Sequence, residues 1–257
     1  MFLKGIAMAL PKGDEHWLLG ELANAANVRI VTNGMLSNGM RMRLVWTDGV
    51  SRAIRANGWF EPETVAVVRS LLTPQTRFYD VGAQLGQYTL LAAGLSAAVH
   101  AFEPDPDTHS LLAQNVRMND VTATLNRFAL SDHCGTVAFY QATPENIGES
   151  SCLPLESARK LQVECHTLDC YAERHGLPDL IKLDVEGAET TVLRGAPSLL
   201  ARKVPMIIEF APRIHDCAPL ADFLRSYGYY LQRITDCGLV PYVPQQGDYR
   251  VFNVLAA

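Results

Sequence analysis

Short apolar runs alternate with stretches of helical spacing from residue 77 onward, and that rhythm sets the architecture. The run Arg77–Val81 ends in Gly82, and Gly86 precedes a helical stretch over residues 87–97. A second strand over 99–102 leads to a helix over Pro106–Met118, with Leu111, Leu112 and Val116 as its apolar positions. Residues 122–128 read as a third strand, 179–185 as a fourth, 191–201 as a helix and 204–210 as a fifth strand. Alternation of this kind implies a mostly parallel sheet with helices on both faces. The tail breaks the rhythm: residues 229–234 and 249–255 are strand-like with no helix between them, which predicts an antiparallel pair at one edge. Residues 136–140 and 161–166 add a hairpin between the third and fourth strands.

Residues 1–74 precede this pattern as an N-terminal extension. Its residues 8–25 read as partly helical, and 29–32 and 40–46 alternate like a small hairpin with turn signals at Asn33-Gly34 and Asn38-Gly39. Residues 63–72 have helical periodicity after Pro62, a residue suited to a first helical turn.

Composition narrows the class of protein. With 257 residues and 48% hydrophobic content, the chain supports one sizeable core, or a core and a small appendage. Its net charge of -5 and the absence of a Lys/Arg block with interleaved aromatics argue against a nucleic-acid partner. The six cysteines form no C-x-x-C pair and are expected as free thiols. The longest apolar run, 90–102, is too short for a bilayer, and residues 1–11 carry no convincing cleavage site. A cytoplasmic protein without a membrane partner is expected; oligomeric state is not legible.

The candidate chemistry lies in the stretch from Phe78 to Thr89. A strand, a tight glycine turn and a helix N-terminus let a nucleoside ligand approach the backbone closely. Glu103, just past the second strand, is placed to accept hydrogen bonds from both ribose hydroxyls. Dinucleotide loops read G-x-G-x-x-G, whereas this one reads Gly82-x-x-x-Gly86 with Asp80 upstream. An acidic group there repels a pyrophosphate and suits the ammonium of a methionine moiety, so the expected cofactor is S-adenosyl-L-methionine.

The segment from Ile181 to Glu189, Ile-Lys-Leu-Asp-Val-Glu-Gly-Ala-Glu, resembles the FkbM family of S-adenosylmethionine-dependent methyltransferases. Gly58-Trp-Phe-Glu-Pro62, Asp80-Val-Gly-Ala, Ala101-Phe-Glu-Pro, Ala129-Leu-Ser-Asp132 and Ile207-Ile-Glu-Phe210 agree, in the family's order. Gln84 departs from the family's usual Asn. The resemblance implies a class I, Rossmann-like α/β fold over residues 75–257: a mostly parallel seven-stranded sheet with an antiparallel last strand. It also implies methyl transfer to a hydroxyl of a small molecule, a sugar or a secondary metabolite. A dinucleotide-dependent oxidoreductase and a non-catalytic S-adenosylmethionine-binding module are the alternatives.

The expected cofactor contacts are Asp80, Gly82, Gln84, Gly86, Tyr88, Thr89, Glu103, Pro104, Ser131, Asp132 and Asp184. Asp184, at the end of the fourth strand, is the candidate base or orienting group for the acceptor hydroxyl. Glu209, a charge within an apolar strand, must find a partner and is expected to line the acceptor pocket. His215 is the further catalytic candidate. Asp184, Glu209 and a third oxygen would suit a hard cation; without a D-x-D cluster, no metal is expected. Trp59, Phe60 and Glu61 are expected nearest the acceptor.

Overall fold

The computed structural model describes residues 29–95, 97–144, 146–156, 158–212, 216–243 and 250–257. The expected helix over 8–25 and the candidate His215 lie outside the described residues.

Within the extension, β1 (Val31–Met35) pairs antiparallel with β2 (Arg41–Val45), as the alternation predicts. The turn falls at Asn38-Gly39; Asn33-Gly34 lies inside β1 instead. Close packing decides this, because a Cβ on Gly34 would sit 2.3 Å from Leu44 Cδ1. Helix α1 (Gly49–Asn57) was not anticipated; Asp48 caps it by accepting the Ser51 N–H at 2.8 Å. Helix α2 (Pro62–Leu71) follows where Pro62 predicts it.

The extension does not stand apart. Leu36, Met42, Leu44 and Ile54 share one buried cluster with Leu85, Leu90 and Leu112. Asn115 ties the two regions together: it is fully buried, accepts the Arg43 N–H at 2.6 Å, and donates to Arg43 O and Leu85 O. Replacing Asn115 with Ala leaves these backbone groups without partners. It should cost about 2–4 kcal/mol in denaturant unfolding; a cost below about 1 kcal/mol would show that the amide only fills space.

The central sheet then builds in chain order. β3 (Arg77–Val81) runs into α3 (Gln87–Gly94), β4 (Ala98–Phe102) into α4 (Pro106–Met118), and β5 (Thr124–Asn126) completes one side. The side sheet, β6 (Ala129–Leu130), β7 (Gly135–Gln141) and β8 (Arg159–His166), contains the expected hairpin. After α5 (Leu168–His175) come β9 (Leu180–Leu183), α6 (Glu189–Arg194), α7 (Pro197–Ala201) and β10 (Met206–Phe210). The single helix expected over 191–201 is broken at Gly195, whose Cβ would meet Ser131 O at 2.1 Å, and at Pro197. Last are α8 (Ala218–Ser226), β11 (Leu231–Thr235), β12 (Gly238–Pro241) and β13 (Phe252–Ala256).

Strand order is β12-β11-β13-β10-β9-β3-β4-β5, with β3, β4, β5, β9 and β10 parallel and β13 antiparallel between β10 and β11. This is the class I methyltransferase layout with its antiparallel last strand. The expected seven strands become eight because β12 extends the edge as a hairpin with β11. Every residue of β9, β10 and β13 is buried, consistent with a sheet covered on both faces. All six cysteines are free. Among the described residues no helix is long and apolar enough to cross a membrane.

Candidate active site

The site begins where β3 stops. Gly82 has φ +82, and a Cβ there would lie 1.7 Å from Asp184 O, so only glycine lets this turn pass the end of β9. The Gly82 and Ala83 N–H groups both donate to Phe102 O at 3.0 Å, binding the turn to the tip of β4. Gln84 adopts the left-handed region at φ 50 and donates its N–H to Glu103 Oε2 at 2.9 Å. Glu103 Oε1 accepts the Asp105 N–H at 2.8 Å. Glu103 therefore fixes the glycine turn as well as facing the cleft. Burial, reinforced by Asp105, pushes its pKa up to about 8.

Asp80 is buried within β3, and Oδ2 accepts the Thr89 hydroxyl at 2.5 Å. Burial raises its pKa to about 6 against the opposing hydrogen bond. On the neighbouring strand, β9 ends at Leu183, and the next residue, Asp184, lines the cleft. The fully buried Lys182 ammonium reaches Asp184 Oδ2 at 2.8 Å and lies 5.5 Å from the centre of the Tyr88 ring. Burial alone would lower the Lys182 pKa, but Asp184, Glu61 and Glu209 together hold it above its ordinary value. Glu209 is 93% buried from its 7% exposure; burial, then Asp184 and Glu186, push its pKa up.

Two concave regions meet here. An apolar crevice is lined by Phe102, Glu103, Pro104, Phe128, Leu130, Phe139, Ile147 and Val185. An open cavity of about 450 Å³ is lined by Asp48, Phe60, Glu61, Asp80, Gln87, Tyr88, Lys182 and Glu209. Gly82, Gln84, Gly148, Asp184 and Glu186 line both. Of five non-glycine residues with positive φ among the described residues, Glu61, Gln84 and Glu186 border the open cavity. Strained backbone concentrated at one cleft is a common mark of function.

The cleft thus brings together Asp80, Gly82, Gln84, Tyr88, Glu103, Pro104, Asp184 and Glu209. Four expected contacts fall elsewhere. Thr89 acts through Asp80, and Gly86 (φ +93) makes room for Leu112, whose Cδ1 lies 2.4 Å from where its Cβ would be. Ser131 is buried behind the crevice with its N–H on His166 O, and exposed Asp132 pairs with His133 at 2.7 Å. Of the three residues expected nearest the acceptor, Phe60 and Glu61 border the open cavity, and Trp59 packs against two core clusters. Sequence reasoning missed Lys182, though a lysine between Ile181 and Leu183 in a buried strand had to have an acidic partner.

These residues fit the expected cofactor. The buried Gln84 Nε2 has no partner, leaving a donor for a ligand oxygen. Glu103 retains lone pairs for ribose hydroxyls, and Asp80 offers a carboxylate beside the glycine turn.

Residues 80–231 match the methyltransferase FkbM domain, and the chain belongs to that family. Hexuronic acid methyltransferase AglP of Haloferax volcanii is 29% identical over 133 residues; the match covers 51% of this chain and 54% of that protein. The chain thus spans about half the length of that curated relative. Among solved structures, TYW2 of P. horikoshii in complex with MeSAdo has 16% identity and a TM-score of 0.47, covering 96% of this chain and 84% of its own. Precorrin-6y C5,15-methyltransferase from Geobacter metallireducens has 14% identity and a TM-score of 0.45, covering 76% and 88%. Likeness at this distance says nothing about the acceptor.

Proposed function

We propose that this protein transfers the methyl group of S-adenosyl-L-methionine to a hydroxyl of a sugar, sugar acid or other small molecule. The observation that carries this reading is the meeting of crevice and open cavity at Asp184. The cofactor supplies an electrophilic methyl on a sulfonium. Glu103 would hold the ribose, the apolar crevice would take the adenine, and Asp80 would face the ammonium. Asp184, held by Lys182, orients the acceptor hydroxyl and takes its proton as the oxygen–methyl bond forms. Transfer would leave the electron pair of the broken carbon–sulfur bond on the cofactor's sulfur. The extension, residues 1–74, contributes Asp48, Val50, Phe60 and Glu61 to the acceptor wall. The named relative's hexuronic acid substrate favours sugar acids as the first acceptors to try.

The test is transfer from methyl-labelled S-adenosylmethionine to uronic acids, neutral sugars and phenols, with mass spectrometry of the product. An O-methylated product supports the reading; methylation confined to amines or nucleobases would replace it.

A pH dependence follows from Glu103. Its folded pKa of about 8 lies above the ordinary 4.5, so between these values the folded cofactor-free protein holds a proton that the unfolded chain has lost. This group's contribution therefore makes stability fall as pH rises from about 4.5 to about 8, then level off. Ribose donors favour the ionised carboxylate, so affinity for S-adenosylhomocysteine should rise as pH rises toward about 8, with release of a proton below that pH. Calorimetry in two buffers of different ionisation heat measures that proton. Glu103→Gln should abolish the release; an unchanged proton count in the variant would assign it to another group.

A further inference from the structure

We infer that Asp184, Glu186 and Glu209 form a binding site for a hard divalent cation at the acceptor end of the cleft. This deepens the proposed function and rests on it for the cation's role, though not for its binding. One carboxylate oxygen from each residue lies within 4.8 Å of the other two. Calcium-like ions hold oxygens at about 2.3–2.6 Å, so ligands on opposite sides stand roughly 4.6–5.2 Å apart. The three oxygens are thus already spaced for one ion without backbone movement.

A second observation points to a ligand. Glu209 is 7% exposed, and its Oε2 is buried without a hydrogen-bond partner. A buried carboxylate oxygen left without a partner is costly, and it normally finds a donor or an ion. Asn253 faces Glu209 directly across the β10–β13 ladder, and its Oδ1 is likewise buried and unpartnered. Residues opposite each other in an antiparallel pair project to the same side, which places a further neutral oxygen on that side of the sheet. Lys182, the one lysine bordering the cavity among the described residues, is spent on Asp184.

The donor set is carboxylate and amide oxygen with no histidine or cysteine, which selects magnesium, calcium or manganese over zinc. Such an ion answers a difficulty of the acceptor side. Seven carboxylate residues border the open cavity, so an acidic sugar would be repelled from it. A divalent ion offsets that charge and leaves coordination positions for two neighbouring acceptor oxygens, such as a vicinal diol or a hydroxyl beside a carboxylate. Bound there, the hydroxyl loses its proton more readily as the methyl arrives. The sequence alone pointed to metal-free transfer; the tertiary approach of Glu186 and Glu209 changes that expectation.

Manganese is the probe, because its electron paramagnetic resonance signal reports binding without any acceptor. The full chain, stripped with EDTA, should bind about one Mn²⁺, displaced by excess Mg²⁺ or Ca²⁺. Glu209→Gln and Glu186→Gln, each close in shape to the original, should weaken binding by roughly tenfold or more. Binding should raise the melting temperature of the wild type and not of Glu209→Gln. No stoichiometric site, or equal binding by both variants, would overturn the inference. Methyl transfer that persists in EDTA would overturn the ion's catalytic role and leave the proposed reaction intact, with the Mn²⁺ measurements alone then deciding the site. Tight Mn²⁺ binding by a protein that methylates nothing would keep the site and discard the reaction.

Discussion

Asp184→Asn is expected to lower turnover by about 10²–10⁴-fold, the usual contribution of a positioned acid–base group. Asparagine keeps the shape and removes the charge that receives or directs the hydroxyl proton. The same charge is also the nearest counter-ion of Lys182, whose ammonium is 1% exposed and 2.8 Å away. Loss of a buried partner destabilises strongly, on the order of 3–5 kcal/mol when nothing replaces it. Glu61 and Glu209 remain near Lys182 and soften that cost. Stability and chemistry must therefore be measured separately. Melting curves and S-adenosylhomocysteine calorimetry should place the variant as folded and cofactor-competent at assay temperature, with the loss in kcat. Full turnover in a folded variant would reduce Asp184 to a counter-ion for Lys182.

Gly82→Ala should have the largest structural effect of any single methyl group added in the cleft. The added Cβ would fall 1.7 Å from Asp184 O and 2.8 Å from Asp184 C, both backbone atoms. No side chain can rotate away from that contact. The φ of +82 adds a penalty of roughly 1–2 kcal/mol for an L-residue. Relief requires the C-terminal ends of β3 and β9 to separate, which moves Asp184 and opens the glycine turn. A loss of about 3–5 kcal/mol in denaturant unfolding is expected, with no measurable S-adenosylhomocysteine binding. Gly86→Ala is the control: its nearest clash, at 2.4 Å, is with the movable Leu112 Cδ1. It should cost less and keep cofactor binding. Equal effects at both positions would mean that backbone angle matters here and the approach to Asp184 does not.

Local pattern carried much of the fold. The strand–glycine–helix unit at 77–94, the Pro62 and Pro106 helix starts and the antiparallel tail each depend on near neighbours in sequence, and each stands where its pattern placed it. Short helices capped by one side chain, such as α1 behind Asp48 and α5 behind Thr167, span only nine and eight residues and need tertiary packing to form, so a reading by local pattern passes over them. The Asn33-Gly34 dipeptide predicts a turn because dipeptide propensity cannot report how closely Leu44 packs against Gly34. Local periodicity predicts one continuous helix over 191–201 because the contact at Gly195 comes from Ser131, more than sixty residues earlier.

The site divides along the same line. Asp80, Glu103 and Asp184 were legible because strand ends in an α/β sheet gather at one rim whatever the rest of the chain does. Ser131 and Asp132 resembled a family segment, yet a step past β6 turns one inward behind the crevice and the other to solvent. Glu186 depends on a left-handed residue after β9, and Glu209 on the register of β10 beside it. The sequence alone determined the sheet, the glycine turn and the acidic rim, since these follow from hydrophobic periodicity and backbone stereochemistry. Tertiary structure alone decided that Lys182 pairs with Asp184 and that three carboxylates converge. Such contacts depend on side-chain direction across neighbouring strands, and periodicity does not encode that direction.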